Sequence, residues 1–250
     1  MLIDYQKRRQ RLFLLLSGLF LGTLAMLNIL GLTRFLDLSF NVFGLQIPMV
    51  VAVGVLPYPI TFMCTDLISE LYGEKKARDL VWIGLILNVW VLFIIWLGSI
   101  LPGSGMDPTT GEPIIDAAGR PPLFFEIKQY ALTAVLASMI AYLAAQYCDV
   151  RLFHFWKRLT GGKHLWLRNN ASTMISQMVD SFTVILGTHL LTQSLPIDNA
   201  EPVWPQLLTL MASNYVFKLV VALVDTGPIY VAVHYLRPYL GLAGTEEATE

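Results

Sequence analysis

Two carboxylates, Asp66 and Glu70, stand four residues apart at the end of an uncharged run covering residues 40–65. On a helix that spacing puts both on one face, where they can serve as acid and base, hold a cation, or accept neighbouring N–H groups. Near the carboxyl end of a helix they face the negative pole of its dipole, so they ask for a compensating partner or a chemical task. The plain alternative is a helix that has reached water, capped at Gly73 and neutralised by Lys75 and Lys76. Further along, Thr173, Ser176, Gln177 and Asp180 fall at i, i+3, i+4 and i+7 and draw one polar stripe along an otherwise apolar stretch. Lys218 and Asp225, seven residues apart, again share a face.

What these groups can do depends on the medium that the surrounding elements create. Of 250 residues, 55% are hydrophobic and 14% charged, against roughly a quarter charged in a soluble domain. Several uncharged runs are long enough to cross a ~30 Å hydrocarbon layer. The expected fold class is therefore an all-α membrane protein, a six-helix transmembrane bundle with spans near residues 12–33, 45–63, 80–101, 124–147, 171–191 and 207–235. Residues 1–243 form one domain on this reading, and the acidic tail 244–250 is expected to be disordered. The first run is too long for a signal-peptide core and is read as a retained helix. Its Ser17, Gly18, Gly22 and Ala25 give a small-residue face, with Gly18 and Gly22 in GxxxG spacing, for internal packing or for docking to a partner subunit. The Gly- and Pro-rich segment 102–122 reads as an external loop.

The basic residues test the span count. Lys7, Arg8, Arg9, Arg11, Lys75, Lys76, Arg78, Arg151, Lys157, Arg158, Lys163, Arg168 and Arg237 fall on one side, whereas the opposite loops hold Arg34 and Arg120. That asymmetry predicts both termini in the cytoplasm. Counting inward at ~1.5 Å per residue then brings Asp180 and Asp225 to roughly 13 to 15 Å depth, with Lys218 about 10 Å further out. A bare charge at that depth costs on the order of 3 kcal/mol or more. Pairing Lys218 with either Asp180 or Asp225 leaves one carboxylate in surplus, which favours a ligand or a proton. Asn28 and Asn88 are read either as interhelical hydrogen-bonding residues or as part of the same cavity. Trp82, Trp90, Trp96, Trp166 and Trp204 are read as an interfacial belt or core.

Several chemistries lack their motifs. Gly161, Gly162 and Lys163 lack the rest of a phosphate-binding loop, no HExxH or GxSxG stretch exists, and the four histidines have no ligand spacing. Cys64 and Cys148 are read as packing thiols. No cofactor and no metal are expected.

Three separated blocks carry a family resemblance: TFMCTDLISELYG at 61–73 with KKAR after it, LWLRNNASTMISQMVD at 165–180, and NYVFKLVVALVDTGP at 214–228. Together they resemble the queuosine precursor transporters, also called the vitamin uptake transporter type. The family pattern often has Asn before the Glu of the first block, where this chain has Ser69. The resemblance implies a multi-pass bacterial inner-membrane protein, not an enzyme, that imports deazaguanine precursors for tRNA modification without touching nucleic acid itself.

The residue chemistry suits such a solute. A guanine-like edge offers a ring N–H and an exocyclic amine to a carboxylate, and its carbonyl takes a donor. Asp66, Glu70, Asp180 and Asp225 are the candidate acids of the site. Arg168, Asn169, Asn170, Gln177 and Lys218 are the candidate donors. Three functions compete: a proton-linked or facilitative carrier; a substrate-binding subunit on an ATP-driven module; and a membrane enzyme or assembly factor using Asp66 and Glu70 as acid and base or metal ligands. The lipid bilayer is a partner throughout, and a homo-oligomer or separate energising subunits are the further partners considered.

Overall fold

The chain begins helical as soon as a cap allows it. Asp4 accepts the Lys7 N–H at 3.1 Å, which satisfies one of the orphan donors at the start of a helix, and α1 then runs Tyr5–Leu30. In the computed structural model the described residues are 4–30, 34–42, 45–47, 50–192, 195, 197–198, 200, 202–242 and 248.

The stretch after α1 departs from expectation. Residues 45–47 and 50–57 are not the first half of a transmembrane helix: β1 (Phe35–Asp37) pairs antiparallel with β4 (Val50–Ala52), and nested inside them β2 (Phe40–Val42) pairs with β3 (Leu45–Ile47). Val42, Ile47, Val50 and Val51 are β-branched and favour strands over helix, so apolarity alone misread their conformation. A 3-10 turn, Val53–Val55, leads into α2, Tyr58–Tyr72. Pro57 and Pro59 explain the start, because proline is tolerated in a helix's first turn, where N–H groups lack partners anyway. At Gly73 the backbone turns to φ 88°, a region open to glycine, and α3 (Glu74–Ile100) starts directly after it.

Three long helices complete the chain: α4 (Leu123–Leu159), α5 (Leu165–Thr192) and α6 (Val203–Leu240). Each outruns its expected span into the charged flanks, since a helix continues wherever its charges find partners. Arg151, Lys157, Arg158 and Arg168 accordingly lie on helices, not in a loop. The segment 102–122 is non-helical as expected. It is ordered by Asp107, which accepts from the Thr109 N–H and hydroxyl at 2.7 and 2.5 Å, and by Asp116, which accepts from Ala118 and Arg120 N–H, each at 2.9 Å. Those donors hold both carboxyls below their ordinary range, led by Thr109 at Asp107 and by the Arg120 N–H at Asp116.

Among the described residues three helices, at Tyr5–Leu27, Glu74–Ile100 and Val203–Leu240, are long and apolar enough to cross a membrane. The short α2 sits in their midst, packed against α1, α3, α4 and α6. Eleven of its residues, from Thr61 to Tyr72, are buried. Leu67, Ile68 and Leu71 of α2 form one core with Leu16, Phe20 and Leu24 of α1, Leu80 and Val81 of α3, and Ile229 and Val233 of α6. Of the six tryptophans, Trp82, Trp90, Trp96, Trp166 and Trp204 face outward, away from this core. Gly18 and Gly22 also face outward, and a Cβ added at either meets nothing within 4 Å. Their small-residue face therefore does not pack inside the described chain. The tail 244–250 lies outside the described residues except Ala248, which is buried and donates its N–H to Leu71 O at 2.6 Å.

Candidate functional site

Helical period brings the polar residues of three helices to one cavity. Tyr58, Pro59, Phe62, Met63 and Asp66 line it from α2; Asn169, Thr173 and Gln177 from α5; Phe217, Lys218, Val221, Ala222, Asp225 and Ile229 from α6; Val55 adds one wall. The steps 58–62–66, 169–173–177 and 218–222–225–229 are turns of a helix, so each element presents one continuous face. The space between the lining atoms, counted with the solvent it opens to, is about 380 Å³. Pro228, inside α6, has no N–H for the carbonyl one turn back, three residues from Asp225.

Four buried side-chain atoms at this cavity, Asp66 Oδ1, Asn169 Oδ1, Thr173 Oγ1 and Gln177 Oε1, have no hydrogen-bond partner among the described residues. Native interiors leave few such groups. Their convergence on one space marks it as a polar binding surface bounded by the aromatic rings of Tyr58, Phe62 and Phe217.

The ionic residues divide into separate arrangements. Lys218 pairs with Asp180, whose other oxygen accepts the Tyr58 hydroxyl at 2.7 Å, and the ammonium lies 4.5 Å from the Tyr58 ring centroid. Of the two partners weighed for Lys218, the structure joins Asp180 to it and leaves Asp225 as the surplus carboxylate at the cavity wall. Asp180 itself does not line the cavity but holds two residues that do.

Glu70 lies one helical turn beyond Asp66, outside the cavity lining. It receives Arg168 at 2.5 Å, Arg237 at 2.8 Å and Lys157 at 3.9 Å. Arg168 also donates to Gly162 O at 2.7 Å. One carboxylate thus ties α2 to α4, α5 and α6, which is the compensation that its place near a helix carboxyl end demands. Asn170 is likewise turned away from the cavity: it accepts from Thr226 at 2.9 Å and donates to Trp166 O at 2.9 Å, bracing α5 against α6. Asn88 is buried on α3 and does not line the cavity, and the Asn28 side chain lies outside what is described.

One residue that sequence reasoning missed is Asp149. It is fully buried on α4 and accepts the Ser176 hydroxyl at 3.0 Å, one residue from Gln177 of the cavity lining. Its signal was the step 142–146–149, which repeats Tyr, Gln and Asp on one helix face, but the basic run after it made the region read as cytoplasmic loop. Tyr58, Lys157 and Arg237 were passed over for the same reason or as simple wall residues. Among the described residues no group of three His, Cys, Asp or Glu side chains is placed to hold a metal ion.

Comparison with known proteins places these observations in context. A sequence profile of the family described as "Putative vitamin uptake transporter" matches residues 52–232. A Bacillus subtilis protein named "Probable queuosine precursor transporter" is 28% identical over 184 residues, which are 72% of this chain and 70% of that protein. A Haemophilus influenzae protein of the same name is 25% identical over 181 residues, 72% of this chain and 67% of its own length. No solved structure matches the chain.

Proposed function

We propose, from the premise that the chain belongs to the vitamin uptake transporter family and is a multi-pass bacterial membrane protein, that it imports a queuosine precursor, a deazaguanine base, across the inner membrane. The observation that carries this reading is the cavity between α2, α5 and α6, where unpartnered acceptors, an ammonium group and a spare carboxylate surround a space with aromatic walls. A planar base fits such walls, and its edge needs this mixture of partners. Asp66 and Asp225 accept its ring N–H and exocyclic amine, while Lys218, Asn169 and Gln177 meet its carbonyl and ring nitrogens. Asp180 aims Lys218. Glu70, Arg168 and Asn170 hold the three helices at the spacing the base requires.

The Lys and Arg distribution supports six spans with both termini cytoplasmic. The six α-helices are the elements available for it, with α2 crossing together with the strands that precede it. Binding of a labelled deazaguanine base to purified, monodisperse protein tests the assignment. Asp66→Asn turns an acceptor into a donor that meets another donor, and losing a charge-assisted bond while leaving a polar group unmatched costs roughly 2 to 4 kcal/mol. That is about thirty-fold to a thousand-fold in affinity, and unchanged affinity in folded Asp66→Asn and Gln177→Ala would rule the site out.

A second reading, docking on an energising partner, is favoured by the open Gly18 and Gly22 face of α1. Proteoliposomes containing only this chain separate the two: uptake without any ATPase present supports the self-sufficient carrier.

A further inference from the structure

The helix faces that line the cavity continue past it into the ionic cluster. On α2 the steps 62–66–70 lead from Phe62 and Asp66 of the lining to Glu70, and on α6 the steps 225–229–233–237 lead from Asp225 and Ile229 of the lining to Arg237. Burial rises along this path. Val55, Tyr58 and Pro59 at the start of α2 are partly exposed, whereas Ser69, Glu70 and Leu71 near its end are at most 2% exposed. The cavity is thus shut at the end rich in Lys and Arg, and Glu70 bridges that end. Its Oε1 receives Arg237 of α6, and its Oε2 receives Arg168 of α5 and, further off, Lys157 of α4. The side chains of Arg237 and Lys157 are 14% and 11% exposed against 3% for Arg168. Those two therefore stand at the rim, where water can take the place of the carboxylate. α6 also has a place to bend, because Pro228 lies between Asp225 and Arg237 and offers the Val224 carbonyl no N–H.

We propose that Glu70 and Arg237 form the gate on the cytoplasmic side of the cavity, closed in this structure, and that α6 beyond Pro228 swings away from α2 to release solute inward. The proposal rests on the cavity being the solute site and on the Lys- and Arg-rich end facing the cytoplasm. Opening hands Arg237 to water while Arg168 and Lys157 stay with Glu70, so no bare charge is left buried. A carboxylate that meets three cations can release one; Asp180, with Lys218 as its one cation among the described residues, cannot do so without stranding both charges. The first arrangement suits a contact that breaks in each cycle, the second a fixed brace.

Thiol labelling in membrane vesicles tests the gate without any solute. The reporter is Val233→Cys, since Val233 is 8% exposed and stands between the cavity and Arg237 on α6. Cys148→Ala removes the partly exposed native thiol, and Cys64, fully buried on the face of α2 opposite Asp66, is kept as the control for general loosening. An impermeant maleimide should label the reporter slowly in inverted vesicles, whose cytoplasmic face is outward. Adding Arg237→Gln should raise that rate about tenfold or more, the shift that loss of one hydrogen bond between charged groups gives a two-state equilibrium, with no change from the external face and none at Cys64. Arg237→Lys, which keeps the cation but not the fork, should fall between, and it carries the comparison if Arg237→Gln does not fold. An unchanged rate in the folded variant, acceleration from the external face instead, or equal acceleration at Cys64 overturns the inference. Once labelled, Val233→Cys should still bind a deazaguanine base but no longer pass it across the membrane, and labelled protein that takes up base at the unlabelled rate overturns the gate as well. If Arg237→Gln opens the reporter position but no form of the protein binds base, the solute reading fails and the gate stands.

Discussion

Removing the ammonium of Lys218 is the most direct way to probe how this site is held. Lys218 is 6% exposed and Asp180 3%, and among the described residues Asp180 has, besides the ammonium, only the Tyr58 hydroxyl, at 2.7 Å. Lys218→Met keeps most of the side-chain volume and strands a buried carboxylate, which costs about 3 to 5 kcal/mol. Pairing it with Asp180→Asn removes the stranded charge while the amide oxygen still accepts from Tyr58. The double variant should therefore recover most of the loss, with a coupling of about 2 kcal/mol or more. At roughly 2 to 4 °C per kcal/mol for a chain of this size, the single variant should melt at least about 6 °C below wild type in detergent, and the double close to wild type. Base binding should stay weak in both, because each lacks the ammonium at the cavity wall. If Lys218→Met melts with wild type, or no higher when Asp180→Asn is added, the pair is not the buried, mutually dependent unit described above.

Other expectations follow from the same geometry. Glu70→Gln should lower the melting temperature by stranding Arg168 and Arg237, at about 3 kcal/mol or more, while the folded fraction binds base within about threefold of wild type; a thirty-fold loss would put Glu70 in the binding surface instead. Gly84→Ala forces a methyl to 2.5 Å from Tyr142 Oη and 3.0 Å from Leu24, so thermal denaturation should register a loss of about 1 to 3 kcal/mol. Gly18→Ala, with nothing within 4 Å, should be neutral or gain up to ~1 kcal/mol in the isolated protein. A cysteine placed in the segment 102–122 should react with an impermeant thiol reagent from outside the cell only, and labelling from the cytoplasmic face alone would invert the proposed topology.

The helical character of the chain was legible because it rests on apolar length and on where Lys and Arg stand. The conformation of residues 40–42, 45–47 and 50–57 was not. A run of Val, Ile, Leu and Pro is equally apolar as strand or helix, and only its β-branched content and the prolines at 57 and 59 mark the change. Helix ends were misjudged for a related reason. A charge was read as the point where helix meets water, yet Arg168 and Arg237 continue their helices because Glu70 on α2 receives both. That ionic contact joins residues 167 positions apart in the case of Arg237, and no local pattern encodes it.

The site divides along the same line. Spacing within one helix placed Thr173 with Gln177 and Lys218 with Asp225, and the cavity contains all four. What spacing could not supply was the pairing between helices, which assigns opposite tasks to similar residues. Asp66 and Glu70 share a helix face and a chemical type, but one turn of α2 carries the chain from the cavity into a cluster of cations. Glu70 meets three basic side chains, and Asp66 faces an open space. A carboxylate already satisfied by cations has little acceptor capacity left for a solute, and its removal is felt as instability. A carboxyl without a cation must instead find a donor, and the donors within reach are a proton and the N–H edge of whatever enters the cavity. On this argument the acids left to meet an entering N–H edge are Asp66 and Asp225, the two that line the cavity without a cation among the described residues.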